Sequence, residues 1–207
     1  GQYRRFVISK GAVGEIVADS ISLGKTYECK SDGKLDTVTT NSNGKTSVEL
    51  DTKVVKSVPD GRCSALGSHT LIHNSDGTLT WKAAGRSAKL RKVTGAEKIP
   101  DAYIGTWQRP LANGGTQRMT VERKPVGSAA VTLVSEGGGE HCEASVDLFS
   151  AGGTDEPLRV APPLVNQKRS SGDCATGDAS ELRVTGDGQL VREFPGGYTS
   201  LTYTRVN

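Results

Sequence analysis

Apolar positions along the 207-residue chain are mostly Val, Leu, Ile and Ala, in short runs broken by Gly, Asp, Asn and Ser. That texture predicts short strands joined by turns rather than helices. In the second half the strand-like segments are 104–108, 117–123, 129–134, 143–149, 158–161, 181–185, 190–194 and 199–205, with alternation visible in Met119-Thr120-Val121 and Leu201-Thr202-Tyr203. Asp187-Gly188, between Leu182-Arg183-Val184 and Leu190-Val191, signals a hairpin, because Gly tolerates positive φ. Asp76-Gly77 repeats the signal between Leu71-Ile72 and Leu79-Thr80-Trp81. Pro162-Pro163 is expected in a loop or at a sheet edge, and Gly137-Gly138-Gly139, with no helix after it, as a flexible loop rather than a phosphate cradle. Eight short strands in about 100 residues predict an antiparallel barrel or sandwich.

The pattern occurs twice. At an offset of 113, Phe6-Val7-Ile8 falls on Met119-Thr120-Val121, Lys10 on Arg123, Val13-Gly14 on Val126-Gly127, Cys29 on Cys142 and Leu35 on Leu148. After a two-residue deletion Cys63 falls on Cys174, Leu71 on Leu182, Asp76-Gly77 on Asp187-Gly188, Leu79 on Leu190 and Leu90 on Leu201. Self-similarity at a fixed period marks a duplicated unit. The expected fold is therefore all-β: two tandem antiparallel barrel or sandwich units, residues 1–98 and 99–207, with the short linker 95–100 restricting their freedom. The segment 103–108 reads as a strand with no counterpart in copy one. Copy one is therefore expected to lack its first strand, and the natural protein to extend upstream of Gly1.

The four cysteines, Cys29, Cys63, Cys142 and Cys174, include no C-x-x-C pair, which removes zinc-ribbon and thioredoxin-like readings. Of the three possible pairings, duplication favours Cys29–Cys63 and Cys142–Cys174, one disulfide per unit, and an oxidising compartment. The net charge of +3 divides into +6 over residues 1–98 and −3 over the rest. No basic run is interleaved with aromatics, so nucleic acid is not an expected partner. No apolar run approaches the ~20 residues of a membrane span, and no signal peptide is visible.

Gly105-Thr106-Trp107 matches the G-x-W signature on the first strand of lipocalin-like barrels. That resemblance implies that Trp107 closes one barrel end beneath an Arg from a late strand, for which Arg205 stands in place and Arg91 is the copy-one counterpart. It also admits an interior holding a small apolar ligand. His69 and His73 lie an even number of residues apart, but no third metal ligand accompanies them. Their copy-two counterparts are Ser180 and Val184, and that of Trp81 is Arg192. His69 and His73 are therefore expected to be solvated surface residues, and His141, the counterpart of Glu28, incidental. No metal and no cofactor is expected. Nucleophile elbow, P-loop, dinucleotide fingerprint and H-E-x-x-H patterns are all missing from the sequence, and Asp76 and Asp187 have a structural reason to be in their turns.

Taken together, G-T-W, the step Ala12-Val13-Gly14-Glu15, the Cys pair, the Leu-x-x-x-x-Asp-Gly-x-Leu hairpin and a basic final strand resemble a known arrangement. It is that of the extracytoplasmic β modules of receptor-type serine/threonine protein kinases of high-GC Gram-positive bacteria, and of related secreted proteins. The chain carries no kinase motif, so the resemblance implies a non-enzymatic sensor or binding region outside the cell, with no catalytic residues. The partner would be an extracellular ligand, a cell-wall polymer or a protein. On this reading the chain is not embedded in a membrane, although the full protein is anchored to one. Two alternatives are a secreted inhibitor acting through Lys168-Arg169-Ser170-Ser171 and a small-ligand carrier of lipocalin type. A hydrolase comes last.

Overall fold

The structure is a computed structural model that describes residues 2–93, 97–152 and 156–206. In the first sheet, β1 (Tyr3–Ile8), β2 (Ile16–Leu23), β3 (Glu28–Thr40), β4 (Thr46–Val58), β5 (Ser68–His73), β6 (Leu79–Ala83) and β7 (Arg86–Leu90) neighbour one another in sequence order. A 3₁₀ turn at Asp101–Tyr103 leads into the second sheet. That sheet comprises β8 (Gly105–Pro110), β9 (Thr116–Val121), β10 (Ala129–Gly137), β11 (Glu140–Ser150), β12 (Leu158–Val160), β13 (Leu164–Val165), β14 (Ser180–Val184), β15 (Leu190–Glu193) and β16 (Leu201–Arg205). The protein is all-β, with two antiparallel units and one disulfide in each, Cys29–Cys63 and Cys142–Cys174.

The second sheet closes on itself. Its order is β10-β9-β8-β16-β15-β14-β12-β11, and β10 pairs with β11 to complete an eight-stranded up-and-down barrel, with β13 added to β11. Alternation along each strand sends one set of side chains inward. Trp107, Met119, Val121, Val131, Leu133, Leu148, Leu158, Leu182, Leu190 and Tyr203 form its core, joined by Ile99. The first sheet curls in the same manner around Val17, Leu35, Leu50, Leu71 and Trp81, with Phe6 of β1 packed on that cluster. Its two ends are β1 and β7, and no strand equivalent to β8 lies between them among the described residues. The consequence shows in burial: Val121 of β9 is 1% exposed, whereas its counterpart Ile8 of β1 is 51% exposed.

The duplication extends to single hydrogen bonds. The Gly14 amide donates to the Leu35 carbonyl at 2.8 Å, and the Gly127 amide to the Leu148 carbonyl at 2.7 Å. The two Asp-Gly hairpins share one turn. Gly77 and Gly188, at φ +77° and +76°, donate to the carbonyls of Asn74 and Thr185. Positive φ three residues after the turn begins is the reason for Gly there. Three sequence expectations need correction. Gly137-Gly138-Gly139 is a tight hairpin rather than a flexible loop: Gly137 pairs with Glu140, and Gly138 and Gly139 both take positive φ, as a two-residue turn requires. The final strand is displaced by two residues. Leu79 pairs with Leu90 but Leu190 pairs with Tyr203, so Tyr203, not Leu201, is the counterpart of Leu90. By that register Lys92, not Arg91, stands at the position of Arg205.

The chain divides into two compact units, one of residues 2–22 and 28–93, the other of 23–27 and 97–206. The linker residues Gly95 and Ala96 lie outside the described residues.

Candidate functional site: inward polar bands

The G-x-W end of the second barrel is held by specific geometry. Trp107 is fully buried, and its Nε1 donates to the Tyr103 carbonyl at 2.9 Å. The Arg205 guanidinium lies 4.2 Å from the centroid of the indole ring and donates to the carbonyls of Ile104 at 2.8 Å and Ala102 at 2.5 Å. Gly105 makes room for it: φ is +128°, and a Cβ there would stand 2.9 Å from Arg205 Nη1. The 3₁₀ turn, Trp107 and Arg205 thus form one packed end.

A second feature lies inside the same barrel. Residues two steps from the apolar core positions keep the inward direction: Arg109 after Trp107, Gln117 before Met119, Ser135 after Leu133, Arg192 after Leu190 and Ser180 before Leu182. With Tyr203 they form an oblique band over six consecutive strands. Hydrogen bonds run along it. Gln117 Nε2 donates to Ser135 Oγ at 2.9 Å. Gln117 Oε1 accepts from the Tyr203 hydroxyl at 2.6 Å and from Arg109 Nε at 3.0 Å. Arg192, only 4% exposed, donates from Nε to Ser180 Oγ at 2.8 Å and from Nη2 to the Asp178 carbonyl at 3.5 Å. Its guanidinium also lies 5.0 Å from the Phe194 ring centroid. Burial pulls the Arg192 pKa below its usual value, Tyr203 opposes that shift, and the charge of Arg109 adds to it. No carboxylate pairs with Arg109 or Arg192 among the described residues.

The first unit fills the equivalent places differently. By ladder register His69 stands at the position of Ser180, Trp81 at that of Arg192 and Leu90 at that of Tyr203, and by the 113-residue offset Arg4 stands at that of Gln117. The Arg4 guanidinium lies 3.9 Å from the Trp81 ring centroid. His69 is not the solvated surface residue that the repeat suggests. It is 3% exposed, set edge-on to Trp81 at 5.5 Å and to Phe6 at 6.2 Å. Among the described residues neither imidazole nitrogen has a hydrogen-bond partner, nor has Trp81 Nε1. Burial, then the nearby Arg4 charge, lower the His69 pKa from 6.5 to about 4. The signal was legible as parity, since His69 precedes the core residue Leu71 by two.

His73 is exposed, and His141 Nδ1 is 3.3 Å from Glu136 Oε1. Among the described residues no three His, Cys, Asp or Glu side chains group as metal ligands. Asp76 and Asp187 serve their turns: Asp76 accepts from Thr78 and Lys89, Asp187 accepts from the Thr185 hydroxyl, and both carboxyls are held below the ordinary range by those bonds. In the Lys168–Ser171 loop, Arg169 Nη1 donates to Glu143 Oε1 at 2.8 Å and Ser170 Oγ accepts from the Glu143 amide at 3.0 Å, so the loop is tied to β11. Comparison of the chain with protein-family models, with curated proteins and with solved structures finds no match in any of the three.

Proposed function

We propose that this chain is a non-enzymatic binding region working outside the cytoplasm, the sensor part of a receptor-type serine/threonine kinase whose target is a cell-wall polymer. The observation that carries the binding reading is the contrast between frame and interior. Disulfides, hairpin turns and core leucines repeat between the two units, while the inward polar positions are exchanged: Ser180, Arg192, Tyr203 and Gln117 against His69, Trp81, Leu90 and Arg4. A duplicated scaffold that keeps its frame and varies one interior band has the form of two recognition modules of different selectivity. Each band also carries a cation, which suits an anionic polymer. The two disulfides favour an oxidising compartment. No helix among the described residues is long and apolar enough to cross a membrane.

Co-sedimentation tests this reading. The chain is expected to be retained on purified peptidoglycan or teichoic acid, with retention falling as salt screens the charges. Failure to be retained on either polymer at low salt overturns it.

A further inference from the structure

We propose that the inward band of the second barrel is an oxyanion site, which takes the carboxylate or phosphate group of a ligand between Arg109 and Arg192. The charge balance argues for it. A buried guanidinium is stable when a counter-charge faces it and costly when none does. Here two guanidiniums of one band weigh on each other electrostatically, and among the described residues every acceptor they meet is neutral: Ser180 Oγ, the Asp178 carbonyl, Gln117 Oε1 and the Pro110 carbonyl. The fold does not itself demand a cation at position 192, because the equivalent ladder position of the first unit holds Trp81.

The donors suit an oxyanion. Guanidinium forks bind two oxygens of a carboxylate or phosphate at once, and the bond to a charged acceptor is stronger than to a neutral one. The hydroxyls of Ser135 and Ser180 add neutral donors at the two ends of the band. Orientation follows from burial. Arg109, Gln117 and Ser135 are half-buried, whereas the floor below them is packed with Trp107, Met119 and Leu190. The charged group therefore sits at the band and the rest of the ligand points toward solvent past Arg109. That arrangement differs from a carrier with an apolar tail inside the barrel. It also stands apart from polymer recognition, since a free small anion tests it.

The test is an NMR titration of the full chain at neutral pH, following the arginine Nε–H signals. The probes are inorganic phosphate and acetate, against chloride at matched ionic strength. Saturable shifts of Arg109 and Arg192 are expected with phosphate or acetate and not with chloride, and the more effective probe identifies the headgroup. Arg109→Gln, at a half-buried position, is expected to weaken binding roughly tenfold, the loss of a hydrogen bond to a charged group, with the rest of the spectrum unchanged. Arg192→Met is expected to abolish it. Should Arg192→Met fail to fold, Arg109→Gln still decides. Equal shifts with chloride, absence of saturation, or unchanged binding in Arg109→Gln each overturn the site. If the chain binds small anions but no cell-wall polymer, the oxyanion site stands and the polymer reading falls.

Discussion

His69 sits between Phe6 and Trp81 with both ring nitrogens unpartnered among the described residues, and this has a pH consequence. Its pKa is about 4 in the folded chain against 6.5 when exposed. Between those values the unfolded chain binds more protons than the folded one, so stability rises with pH there and is lost as pH falls through the window. One such group contributes a slope of at most about 1.4 kcal/mol per pH unit. The denaturant midpoint of the first unit is therefore expected to fall between pH 6.5 and pH 4, and His69→Phe to flatten that dependence. An identical pH dependence in His69→Phe would show that His69 is not its source. Gly105 is equally constrained. With φ at +128° and Arg205 at its back, Gly105→Ala is expected to cost about 1–3 kcal/mol. The same change should loosen Arg205 from the Trp107 ring, visible as altered indole fluorescence. The Gly and Trp of this motif were readable in the sequence. Why the Gly is needed was not, because the obstructing guanidinium arrives from the last strand, about 100 residues further along the chain.

Elements follow the same division. Eight strands of the second unit and both Asp-Gly turns could be assigned from alternation and turn chemistry, since these are local properties, whereas β13 and the tight hairpin at Gly138-Gly139 were not. The register of β16 could not. The β15–β16 connection is two residues longer than the β6–β7 connection, measured between the equivalent ladder pairs Arg192–Leu201 and Trp81–Ala88. Leu90 and Leu201 look equivalent in sequence, yet the sheet pairs Leu90 and Tyr203 with the same neighbour positions. The ends of the first sheet supply the element-scale prediction. In the second unit, residue 115 is followed by β9, and β9 corresponds to β1. A copy of residues 101–115 joined directly to Tyr3 would therefore arrive in register beside β1. Hydrogen exchange of the β1 and β7 amides is expected to slow in that extended chain, and the burial of Ile8 to raise stability by about 1 kcal/mol or more. Unchanged exchange at both strands would contradict the equivalence of the two sheets.

For the whole molecule, each unit is a small core with a covalent staple. Cys29–Cys63 and Cys142–Cys174 span 34 and 32 residues. In the chain-entropy model each stabilises its unit by on the order of 3–4 kcal/mol, a large part of the net stability of a domain of ~100 residues. Replacing both Cys142 and Cys174 by Ala is expected to lower the free energy of unfolding of the second unit by about that amount, read from denaturant curves. No change would place the stability of the barrel in its core alone.

The sequence by itself determined the duplication, the disulfide pairing, the all-β character and the two Asp-Gly turns, because each depends on residue identity at short range or on repetition within the chain. Tertiary structure alone decided that the second sheet closes through β10 and β11, and that Arg109, Gln117, Ser135, Tyr203, Arg192 and Ser180 meet in one inward band. The physical reason is the closure of the barrel. It brings eight strands, drawn from positions 105 to 205, into one ring, six of them carrying the band, and sequence spacing records the alternation of each strand but not which positions face one another across the ring.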